Sequence, residues 1–274
     1  MELKNQLQYY VMGLVKQINA RIKARKSFNK KMLWTIRLNL VKEEKFIWFL
    51  LLIALIFPVI PFSKLGIISP FLHSCRVIMD NVSYGYIAGM IFYLFSDFRP
   101  KSYKIFKAKH RLASVYSSIH LNYVFAADAL GIISNEGNLV DNSKDVAIQS
   151  LLLKKIDDKH IAIKEDVIGK VKAMLNLVDK EIGDLFLLHN GDMSEKEINE
   201  INRFRNLFDK LRLSNIYDYV SSHDFVVANN DLDFFLSSFI LNYSTSERLK
   251  KQYASYRFNA VEFDEKYLEK IGED

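Results

Sequence analysis

The sequence predicts an all-α membrane protein in which a two-helix transmembrane hairpin carries an α-helical cytoplasmic domain. Three observations predict it. Only 10 Gly and 4 Pro punctuate 274 residues, and three of the prolines (Pro58, Pro61 and Pro70) lie close together, so the rest has few helix breakers. An uncharged run, FIWFLLLIALIFPVIPFS, fills residues 46–63. Charge is polarised along the chain: residues 1–45 carry a net +8, residues 46–111 a net +6 and residues 112–274 a net −8.

The basic N-terminal region, 1–45, opens with Leu3, Leu7, Tyr10, Leu14, Ile18 and Ile22 at three- or four-residue intervals. That rhythm paints one apolar stripe on a helix over 2–26, with Lys16, Arg21, Lys23, Arg25 and Lys26 on its second half. Such a helix can lie on an anionic leaflet or pack on the acidic C-terminal domain, and the acidic domain's need for a complementary surface favours packing.

The first span is 46–63, whose 18 residues make about 27 Å of helix, close to the hydrocarbon thickness of a bilayer. Trp48 suits an interfacial anchor, and Pro58 and Pro61 should kink or end the helix. A second span is expected over about 77–98, built on the uncharged run NVSYGYIAGMIFYLFS between Asp80 and Asp97, so that both carboxylates sit near the interfaces. The hairpin is therefore 46–98. Arg99, Lys101, Lys104, Lys107, Lys109 and Arg111 follow with no acid among them. Basic flanks on both sides put both termini in the cytoplasm. The apolar loop between the spans belongs to the interface or re-enters the membrane. Within the second span Gly85 and Gly89 have the GxxxG spacing, which serves homo-oligomerisation, or packing on the first span, or reflects no more than the tolerance of membrane helices for glycine.

A basic juxtamembrane helix is expected over 99–131. Ile105, Leu112, Ile119 and Ala126 recur every seven residues with Val115, Tyr116 and Tyr123 on the same side, and Gly131 is the stop signal. The acidic helical domain, 132–274, is read as helices at about 143–156, 164–189, 194–213, 230–242 and 245–258. Ser194 and Glu197 have the capping-box spacing. Segments 160–163 and 224–227 could be short extended pieces, but no sustained alternation supports a sheet.

The chemistry is sparse. A polarity in which basic residues flank apolar runs does not suit direct nucleic-acid binding. The single Cys75 leaves no intramolecular disulfide, and an apolar run beginning at Phe46 is not placed like a signal peptide. The six histidines have no metal-ligand spacing, and no phosphate-binding or nucleophile motif occurs. Asp157, Asp158 and His160, the HNGD at 189–192, and Asp231 with Asp233 are polar clusters that helix caps and turns explain. No catalytic, cofactor-binding or metal-binding residue is assigned, and no cofactor is expected.

The basic amphipathic N-terminus, the two apolar runs and the exit GYIAGMIFYLFSDFRPKSYK together resemble the two-transmembrane effectors of bacterial retron-type antiviral defence. That resemblance implies a bacterial inner-membrane protein without enzymatic activity, acting by abortive infection. A cytoplasmic ribonucleoprotein, a reverse transcriptase with its noncoding RNA, would hold it in check, and release would let it perturb the bilayer. A non-toxic membrane-anchored scaffold, and then a membrane-anchored enzyme, are the competing readings.

Overall fold

The computed structural model describes residues 2–59, 70–134, 138–187, 193–214, 226–258, 260 and 263–264, with side chains from residue 12 and, after the gap, from residue 75. The chain divides into two compact units, residues 1–107 with 258–274, and residues 108–257. It is mostly helical, as expected, with one small sheet.

In the first unit, α1 runs Glu2–Glu43, well beyond the expected 2–26. No Gly or Pro interrupts the sequence up to Glu43 after Gly13, so nothing stops the helix. Met32, Ile36 and Leu40, four apart, are buried, whereas Leu14, Ile18 and Ile22 are about half exposed. A break at Glu44 separates α1 from α2 (Lys45–Ile56), which ends in a 3-10 turn at Phe57–Val59 where Pro58 can no longer donate to the ladder. The expected stop at Pro61 and the first part of the apolar loop, 64–69, fall outside the described residues, but from Pro70 on the segment expected as loop is already helical, the first turns of α3 (Pro70–Tyr93).

Helix α3 (Pro70–Tyr93) continues through a π-helical turn, Leu94–Phe98, into α4 (Arg99–Ala129). Pro100 accounts for the turn's position: it has no N–H to offer the Ser96 carbonyl, and its ring would crowd that oxygen in a regular α-helix. The ladder widens one turn earlier, and the Arg99 N–H bonds to the Leu94 carbonyl. Helix α4 stops as Gly131 predicts. With φ +69° at Gly131, its N–H reaches the Asp128 carbonyl at 2.8 Å and the Ile132 N–H reaches the Ala127 carbonyl at 3.0 Å, the glycine-terminated C-cap.

The second unit packs the later part of α4 with α5 (Ser143–Leu151), α6 (Glu165–Leu187), α7 (Glu195–Arg212) and α8 (Asn229–Tyr253) around one core. The seven-residue series on α4 is its centre: Leu112, Tyr116, Ile119, Tyr123 and Ala126 are all buried. Tyr123 meets Phe239 edge-on at 5.7 Å and Phe204 at 6.5 Å. The loop after α4 lies within this unit, closed by the Ile133–Leu139 bridge.

Two expectations change here. The helix expected over 143–156 ends at Leu151, and Leu152–Lys155 forms β1, which pairs antiparallel with β2 (His160–Ile163), which pairs in turn with β3 (Val226–Ala228). LLKK suits a helix, but an available partner strand outweighs a propensity of a few tenths of a kcal/mol per residue. The helices expected over 230–242 and 245–258 are one, α8, followed by a 3-10 turn at Ala254–Tyr256. Its NYSTS segment survives because the polar side chains turn back on the helix: Ser244 Oγ donates to the Ile240 carbonyl at 3.0 Å, Thr245 Oγ1 to Leu241 at 2.8 Å and Asn242 Nδ2 to Ser238 at 2.9 Å.

Candidate functional site

The feature that calls for a function is the surface of α2 and α3. Among the described residues one helix, Cys75–Ala129, is long and apolar enough to cross a membrane, and 11% of its most apolar stretch is buried within the chain. It contains all the residues of the span expected at 77–98. The apolar helix at Lys45–Val59 covers the start of the span expected at 46–63 and is shorter than a crossing helix; residues 60–63 lie outside the described residues. Phe46, Phe49, Leu52, Leu55, Val82, Ile91 and Phe92 are all exposed, Phe92 by 73%. In water, so much contiguous apolar area would drive association or aggregation.

The two apolar helices touch. Tyr86 Oη donates to the Ile47 carbonyl at 2.9 Å, and Trp48 meets Phe98 edge-on at 5.4 Å. At the start of α2, Glu44 accepts from Lys101 Nζ at 2.8 Å and from the Tyr93 hydroxyl. The beginning of α2 thus meets the end of α3. Burial raises the Glu44 pKa, but the hydrogen bonds from Lys101 and Tyr93 outweigh it and leave the carboxyl below its ordinary range. At its ends the apolar stretch of α3 is bounded by Asp80, which Arg76 approaches at 3.7 Å, and by Asp97, roughly 25 Å apart along the helix.

Gly85 and Gly89 are exposed on α3, and a Cβ at either would meet nothing within 4 Å. Neither position is used for close packing on α2. Both remain on a face with Ile78, Val82 and Phe92, where a second helix could approach.

The polar clusters of the second unit take structural roles. Asp157 Oδ1 accepts the backbone N–H groups of Lys159 and His160, each at 2.7 Å, and His160 Nδ1 lies 3.0 Å from Asp157 Oδ2, which closes the β1–β2 turn. Those bonds, led by the Lys159 N–H, hold the exposed Asp157 carboxyl below its usual range. Asp231 stands in the first turn of α8 and Asp233 pairs with Lys144. HNGD lies outside the described residues. The Ser194 capping box forms in full, with Glu197 accepting from the Ser194 N–H at 2.8 Å.

His120 is buried, its Nδ1 3.0 Å from Ser246 Oγ. Since Ser246 Oγ gives its one hydrogen to the Tyr243 carbonyl at 2.6 Å, the imidazole must donate from Nδ1. Burial, then Lys250, pushes its pKa down to about 4 against the opposing Glu247. Burial also raises the Tyr116 hydroxyl, with Glu200 and Glu197 adding to it. Among the described residues no group of three or more His, Cys, Asp or Glu could hold a metal ion. No protein-family model, curated protein or solved structure matches the chain.

Sequence reasoning missed the Glu44–Tyr93–Lys101 knot. An acid two residues before an 18-residue apolar run was its one available signal, because a carboxylate at the edge of such a run needs a cation.

Proposed function

We propose that the chain is a membrane-embedded effector of a bacterial antiviral, abortive-infection system of the retron type. In this reading residues 46–63 and 77–98 both cross the inner membrane and both termini are cytoplasmic. Release from a cytoplasmic ribonucleoprotein partner lets the spans perturb the bilayer. The exposed apolar surface of α2 and α3 is the observation that carries the membrane part, because lipid is the solvent in which such a surface is stable. The effector part rests on the resemblance of the exit sequence. Gly85 and Gly89, open in the single chain, supply the face for a homo-oligomer.

Expressing the full chain alone and following a potential-sensitive dye tests the activity. Depolarisation is expected; unchanged potential and normal growth at high expression would replace the effector with a tethering scaffold. Reporter fusions at Asn142 and the C-terminus should score cytoplasmic and those near Ser69 external, and phosphatase activity at Asn142 would overturn the topology. Membrane cross-linking should show weaker association for Gly85→Leu and Gly89→Leu, and parental cross-linking in both would remove the oligomer face.

A further inference from the structure

Within the first unit, α1, the start of α2 and the π-helical turn enclose a cleft of about 350 Å³. Trp34, Trp48, Phe95 and Phe98 make it apolar, and Arg37 and Arg99 also line it. The chain has two tryptophans, and both are here. Tryptophan is the residue that settles at the boundary between hydrocarbon and headgroups.

The polar atoms of this cleft are short of partners. Neither guanidinium forms an ion pair with a carboxylate among the described residues. Among the described residues Arg37 Nε donates to Ser102 Oγ at 3.4 Å, and Arg99 lies over the Phe95 ring at 4.8 Å. Asp97, two residues from Arg99, is not paired with it, and the neighbouring Ser96 hydroxyl donates to the Phe92 carbonyl at 2.9 Å. The Trp48 Nε1 donor is buried and has no acceptor among the described residues. An oxygen-rich anion entering the cleft would accept from both guanidinium groups together.

We propose that the cleft binds one anionic phospholipid of the cytoplasmic leaflet, with its phosphate taken by Arg37 and Arg99. The volume suits a headgroup and glycerol, at the lower end of small-molecule pockets, and not a whole lipid. The acyl chains then run out along the exposed apolar surface of α2 and α3. The π-helical turn, which puts Phe95, Phe98 and Arg99 at the cleft, is what a regular helix through Pro100 could not provide. A lipid seated here braces the junction between α1 and the apolar pair, so the anionic lipid content of the membrane would tune how these helices are held. The site rests on the bilayer reading of α2 and α3.

Native mass spectrometry of the full chain in non-ionic detergent tests it, with phosphatidylglycerol, phosphatidylcholine and inorganic phosphate titrated separately. Phosphatidylglycerol should be retained at least about tenfold better than phosphatidylcholine. Arg37→Gln with Arg99→Gln should weaken phosphatidylglycerol retention by roughly 30-fold, about 1 kcal/mol for each basic group. Lys30→Gln with Lys31→Gln, an equal charge change on α1, should leave the preference in place. Equal retention of the two lipids by the parent overturns the proposal without any variant, so misfolding of the arginine pair cannot shield it. Parental retention by the arginine pair, or displacement of the lipid by inorganic phosphate, also overturns it. Alkaline carbonate extraction separates the two levels. A chain that stays with the membranes but shows no lipid preference loses this site alone, and a chain that is extracted loses the bilayer reading with it.

Discussion

Helices α3 and α8 are nearly equal in length, 24 and 25 residues, and carry five aromatic residues each, yet they treat them oppositely. On α8 Phe235, Phe239 and Tyr243 fall four apart on one face and are buried, while Phe234, on another face, is exposed. On α3 the described aromatics and aliphatics surround the helix, and α2 covers only the side that holds Ser83 and Met90. A stripe can be satisfied by a protein core, but an apolar helix without a polar face needs either complete burial or a nonaqueous solvent. The comparison teaches that amount of apolar sequence says less than its angular distribution.

The largest effect should come from the buried side. Phe239→Ala removes the ring that Tyr123 meets edge-on and should cost about 3–5 kcal/mol, read as loss of hydrogen-exchange protection across residues 108–257 of the full chain in detergent. Protection retained there would show that the second unit does not depend on this aromatic core.

A matched pair of exposed positions separates water from lipid. Ile53 on α2 is 43% exposed and Leu177 on α6 is 45% exposed. Ile53→Asp should disfavour membrane insertion by about 3 kcal/mol, seen as release by carbonate, whereas Leu177→Asp should shift stability by less than about 0.5 kcal/mol in denaturant titration. Equal effects at the two positions would mean that they face the same solvent.

The buried His120 gives the second unit a pH signature. Its folded pKa of about 4 lies below the ordinary 6.5, so the unfolded chain takes up the proton first and stability falls as pH drops from about 6.5 towards 4. The loss should be about 1–3 kcal/mol and level off below the folded value. Denaturant midpoints between pH 7 and 4 measure it, and His120→Phe should flatten the His120 part of the profile. Apart from the Leu177 control, the smallest effect is at a helix cap: Ser194→Ala opens the capping box of α7 and should cost about 1 kcal/mol, with no change in membrane retention.

Features whose cause is local were legible in the sequence. The capping box at Ser194, the stop at Gly131, the helix end before Pro58 and the core series Leu112–Ile119–Ala126 each follow from a few neighbouring residues acting on their own backbone or face. The candidate site was half legible. Two apolar runs and the glycine pair could be read, but whether Gly85 and Gly89 face α2 could not, because spacing defines a face and not what lies opposite it. Tertiary structure alone decided the rest. Residues 152–155 became a strand because His160–Ile163 was there to pair with them, and within the NYSTS segment of the unbroken α8 the buried Asn242 donates from Nδ2 to the Leu207 carbonyl of α7 at 3.0 Å. Glu44 met Tyr93 and Lys101 across 49 and 57 residues of sequence, and Trp34, Trp48 and Arg99 came to line one cleft. Pairings at such separations depend on which helix faces turn towards each other, and that is settled only when the helices pack.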